Sequence, residues 1–68
     1  METVTIKIGG MKDEQCLRTV ANAIQDLPHI DYLDISFEKA EAEVGFGALI
    51  SSGDILQAVE DAGYTASL

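Results

Sequence analysis

The sequence predicts an α+β domain, one antiparallel sheet of four strands with two helices on one of its faces, in the order β-α-β-β-α-β. Three observations predict it. Apolar and polar residues alternate with the period of a half-buried strand around residues 3–8, 33–38 and 41–46. Two other stretches, beginning near Asp13 and Ser51, carry apolar residues at helical spacing. Glycine or proline stands at most of the joins between these stretches.

Each element has its own signal. Val4, Ile6 and Ile8 alternate with Thr3, Thr5 and Lys7, and their β-branched side chains suit a pleated surface with one buried face. Gly9-Gly10 ends that strand. In the first helical stretch Leu17, Val20, Ala21, Ile24 and Leu27 form the apolar stripe, Asp13 is placed to cap the N-terminus, Glu14 lies in the first turn and Pro28 stops the helix. Leu33, Ile35 and Phe37 then alternate with Asp34, Ser36 and Glu38, and Ala42, Val44 and Phe46 with Glu41, Glu43 and Gly45. The short gap around Lys39-Ala40 predicts a hairpin between them, and acids on the solvent faces discourage pairing with another chain should either strand be an edge. The second helix starts at Ser51, with Asp54 supplying the reciprocal start signal. Its stripe is Ile55, Ala58, Val59 and Ala62, and Gly63 is a natural residue to end it. Tyr64 to Leu68 reads as a short closing strand. This order is that of the ferredoxin-like split βαβ arrangement, with connections of the short length common in small domains.

All of residues 1–68 fall into one domain, with no repeat, linker or low-complexity run. A chain this small buries only about 60% of the surface that its unfolded form exposes, so a deep enzyme active site is hard to build and no catalytic role is expected. Twelve acids against 4 bases give a net charge of −8. The bases Lys7, Lys12, Arg18 and Lys39 form no patch in sequence, which argues against nucleic acid. The acidic surface favours solubility and attraction to cations or to a basic protein face. One cysteine cannot close an intramolecular disulfide, as fits a reducing compartment. No run approaches the ~20 apolar residues of a membrane span, and the N-terminal stretch has no signal-peptide pattern. The expectation is a soluble, cytoplasmic protein without membrane insertion.

The stretch Gly9-Gly10-Met11-Lys12-Asp13-Glu14-Gln15-Cys16 joins the first strand to the first helix. It sets Cys16 in the first helical turn, where free backbone N–H groups and the helix dipole favour a thiolate, the form that ligates metals, while Asp13 and Glu14 oppose it. Here the chain resembles the heavy-metal-associated domain family, whose loop reads G-M-x-C-x-x-C with an apolar residue four positions on. This chain has Gly10-Met11, Cys16 at the second cysteine, Val20 as the apolar residue, and Asp13 in place of the first cysteine. The run Ala58-Val59-Glu60-Asp61-Ala62-Gly63-Tyr64 is similar to the family's closing A-[IV]-E-x-A-G-[YF]. The resemblance implies metal binding at Cys16 and Asp13, core packing by Met11 beneath the loop, and a place for Tyr64 beside it. Burial and hydrogen bonding of the ring account equally well for Tyr64. His29, the only histidine, falls at the far end of the predicted fold and reads as a surface loop residue.

Two roles are open to Asp13, helix cap and metal ligand. Cu(I) prefers sulfur, and one carboxylate oxygen is a poor replacement for a thiolate. Zn(II) accepts sulfur and oxygen but takes three or four ligands, the rest coming from water, Glu14 or a second molecule. A homodimer bridged at Cys16 would restore a two-sulfur Cu(I) site. Three functions follow as expectations. The first is a metal-binding or metallochaperone-like protein that delivers or buffers Cu(I) or Zn(II) by thiolate exchange through residues 10–16, with a P-type metal-transporting ATPase or its metal-binding module as the partner implied by the resemblance. The second is a degenerate domain that has lost metal binding and acts as a protein-interaction module. The third is a redox-sensing thiol at Cys16.

Overall fold

In the computed structural model, which describes residues 2–68, the element order is β1 (Glu2–Gly9), α1 (Glu14–Gln25), β2 (Ile30–Ser36), β3 (Glu41–Phe46), α2 (Ser52–Asp61) and β4 (Thr65–Ser67). The four strands form one sheet in the order β2-β3-β1-β4 with every neighbouring pair antiparallel, which is the ferredoxin-like arrangement. Thr5 opposes Glu43 and Ile6 opposes Ala42 across β1 and β3, and Ile8 opposes Ala66 across β1 and β4. This register puts Ile6, Ile8, Ala42 and Val44 on one face, where they meet Val20 and Ile24 of α1 and Ile55 and Val59 of α2. These eight side chains and Phe46 are buried, seven of the nine being β-branched and so held to few rotamers.

The helix ends follow the chemistry of their caps. Asp13 has extended backbone and its side chain caps α1. At the start of α2 the Asp54 carboxylate accepts the Ser51 backbone N–H at 3.0 Å. Gly63 takes a φ of +100° just beyond α2, a left-handed conformation that an L side chain resists.

Three expectations are corrected. Leu27 does not complete the stripe of α1, because the helix ends at Gln25 and Asp26 caps it; Leu27 packs against the core from beyond the cap. Phe37 does not continue the inward face of β2. The strand stops at Ser36, and Phe37 opens the turn that returns to β3, its carbonyl accepting the Ala40 N–H at 3.2 Å while its ring stays 42% exposed. Tyr64 and Leu68 lie outside β4, which is limited to the three residues Thr65–Ser67. In addition, β2 starts earlier than the alternation indicated, at Ile30, and an irregularity between Ile30 and Tyr32 resets its register.

Candidate metal site

The loop between β1 and α1 is shaped from both ends. Gly10 turns the chain with a φ of +99°, and a Cβ on it would lie 3.4 Å from Cδ1 of the Tyr64 ring. Met11 reaches down instead and packs against the core, as expected of it. Lys12, Asp13 and Glu14 are exposed, and Cys16, in the first turn of α1, is half-buried.

Asp13 and Cys16 meet directly. Oδ1 of Asp13 accepts the Cys16 backbone N–H at 3.0 Å, so the carboxylate is a helix cap, while its other oxygen makes no hydrogen bond among the described residues. Tyr64 comes in from the far end of the sequence. Its hydroxyl faces the Cys16 thiol and Thr19, and its acidity falls, its pKa being raised above the usual 10.0. Hydrogen bonding to Cys16 is the main cause, followed by desolvation and the negative charges of Cys16 and Asp13, with hydrogen bonding to Thr19 acting in the opposite sense. Thr19 was not anticipated from the sequence. It lies three residues after Cys16 and therefore on the same face of α1, a spacing that would have indicated it; its own hydroxyl donates to the Gln15 carbonyl at 3.0 Å.

His29 stands apart. It precedes Ile30, which pairs with Phe46, and Phe46 pairs with Glu2, so the histidine is at the end of the sheet remote from Gly9 and Cys16. Among the described residues no three His, Cys, Asp or Glu side chains gather as a metal cage, and no helix is long and apolar enough to cross a membrane. The loop thus presents one thiol with oxygen groups around it. That donor set is too poor in sulfur to suit Cu(I) from one chain alone, and closer to what a borderline ion accepts once further ligands are added.

The sequence pattern of the heavy-metal-associated domain matches residues 5–65. The chain belongs to this family. It is 37% identical over 68 residues to the mercuric transport protein periplasmic component of Salmonella typhi, covering 98% of this chain and 75% of that protein. It is 31% identical over 65 residues to the copper chaperone CopZ of Bacillus subtilis (strain 168), covering 94% of each. Among solved structures, oxidised MerP from Ralstonia metallidurans CH34 superposes with a TM-score of 0.91 at 34% identity, over 97% of this chain and 93% of that one. A copper-binding domain from HMA7, a P-type ATPase, superposes with a TM-score of 0.95 at 25% identity, over 98% and 92%. In this heavy-metal-associated domain the carboxylate at position 13 serves as a helix cap.

Proposed function

We propose that this heavy-metal-associated domain binds a transition metal ion at Cys16 and passes it on by ligand exchange, as a metallochaperone-like carrier and not as an enzyme. The observation that carries this reading is the half-buried Cys16 thiol in the first turn of α1, beside a loop turned by Gly10. Family membership supports it, as do relatives named a mercuric transport protein and a copper chaperone. Cys16 supplies the thiolate and the second oxygen of Asp13 a weaker, harder donor. With one sulfur per chain, a monomer favours a borderline ion such as Zn(II), while Cu(I) needs another thiol, from glutathione, from a second copy of the chain meeting it at Cys16, or from a receiving protein.

Transfer follows from that incomplete ligand set. An ion held by one thiolate keeps open positions, so a partner's thiolates can bind before Cys16 lets go. The metal-binding module of a P-type ATPase is the partner that this reading favours, supported by the likeness to the copper-binding domain of one such pump. A cytoplasmic, reducing setting is favoured by the lone cysteine, which stays a thiol there.

A second reading has its own observation. Because Oδ1 of Asp13 is engaged in capping, the loop is also consistent with a domain that has given up metal and kept the fold as a protein-interaction module. Anaerobic native mass spectrometry with Cu(I) and Zn(II), in competition with chelators and with and without glutathione, separates the two. The carrier reading requires metal adducts that Cys16→Ser abolishes. Adducts that survive Cys16→Ser, or none under any of these conditions, leave the interaction module.

A further inference from the structure

An open groove of about 410 Å³ lies on the helical layer, its Leu27-Pro28 end remote from Cys16. Leu27, Pro28, Ile50 and Ala58 give it an apolar floor, and Asp54 and Asp61 stand on its rim. Leu27 and Pro28 follow the C-terminus of α1 whereas Cys16 is at its start, so the length of that helix, ~1.5 Å per residue, separates the two places. Gln57 donates to Asp61 at 2.9 Å and holds that carboxylate on the groove side of α2.

The charges here are placed against the fold's own interest. The C-terminus of a helix is the negative end of its dipole and favours cations. Yet neither helix has a base in its last turn, α1 is capped by Asp26, and α2 ends in Glu60-Asp61. None of the chain's 4 bases lines the groove. The local surface therefore combines an apolar floor with negative charge at its two ends, Asp61 at one and the α1 C-terminus at the other, while Asp54 is offset by the α2 N-terminus that it caps.

We infer that this groove docks a basic amphipathic segment of a partner protein, apolar side chains on the floor and lysines or arginines against Asp61 at one end and the α1 C-terminus at the other. Complementary charge would set its orientation, and the apolar contact its hold. The inference stands independently of metal binding, since no lining residue belongs to the loop of Cys16.

Backbone amide NMR of the chain, titrated with a synthetic amphipathic helix of leucine and lysine, tests it. Shift changes concentrate at Leu27, Ile50 and Ala58, and weaken as added salt screens the charges. A lysine and serine peptide of the same charge binds several-fold less. Asp61→Lys also weakens binding several-fold, and it places a cation where the helix dipole favours one, so the variant keeps its fold. The inference is overturned by no binding, by shifts centred on the sheet's outer face at Asp34, Glu41 and Glu43, by equal binding of the serine peptide, or by unchanged affinity in Asp61→Lys.

Discussion

The carboxylate of Asp13 and the backbone N–H of Cys16 are joined by a 3.0 Å hydrogen bond that fixes the first turn of α1 around the thiol. Asp13 thus orders the turn that carries Cys16, through a backbone bond that a metal is not needed to make.

Removing that bond has a measurable cost. Asp13→Ala is expected to lose about 1 kcal/mol of stability, the usual worth of a helix N-cap, while Asp13→Asn, which caps comparably, loses little. Urea unfolding of the metal-free protein at neutral pH, followed by circular dichroism, checks both. Equal losses in the two variants would show that the carboxylate's charge matters and the cap does not.

Asp13→Cys moves the balance the other way. It surrenders the cap, again at about 1 kcal/mol, and supplies the second sulfur that Cu(I) favours. Competition with a Cu(I) chelator should show the variant retaining the ion in the absence of added thiol, where the natural chain releases it.

On the outer face of the sheet, Tyr32 donates its hydroxyl to Glu43, across the β2–β3 pair. That bond, with desolvation and the charges of Glu43 and Asp34, pushes the phenol up from 10.0 to about 12. The raised value means that folding favours the protonated phenol. Its contribution to stability is full below pH 10 and is lost as pH rises through about 12. Ultraviolet titration of tyrosinate should place one tyrosine near this value, and Glu43→Gln should bring it back toward the ordinary range.

Core packing leaves little reserve. Ile24 is fully buried between α1 and the sheet, and Ile24→Ala should cost ~2–5 kcal/mol. A single core in so small a domain rarely supplies more than ~3–5 kcal/mol. The variant is therefore expected to be largely unfolded at room temperature, as judged by the loss of its cooperative urea transition.

Most of the architecture was written in local patterns. The alternation of Val4, Ile6 and Ile8, the stripe through Val20 and Ile24, and the Ser51–Asp54 start each agree with the tertiary packing, so reading them locally sufficed. The misses share a cause. Leu27, Phe37 and the opening of β2 each continue an apolar pattern that a turn, a cap or a shift of register interrupts, and those interruptions depend on strand pairing that no local period records. At the loop, Asp13 was legible as a cap from its residue type alone. Its bond to the Cys16 N–H, and the approach of the Tyr64 hydroxyl to Cys16 and Thr19, needed the folded chain, because Tyr64 is far from both in sequence.

The pairing of Gly9 with Thr65 carries a further consequence. A Cβ on Gly9 would fall 2.3 Å from the Thr65 hydroxyl oxygen, so β4 closes tightly over the start of the loop. A chain emerging from the ribosome exposes Cys16 long before residues 64 and 65 exist. Throughout that interval the thiol lacks its phenol neighbour and the loop lacks its clasp. The finished surroundings of Cys16 therefore form only once β4 has been made and has paired with β1, which makes them a report on whether the sheet has closed.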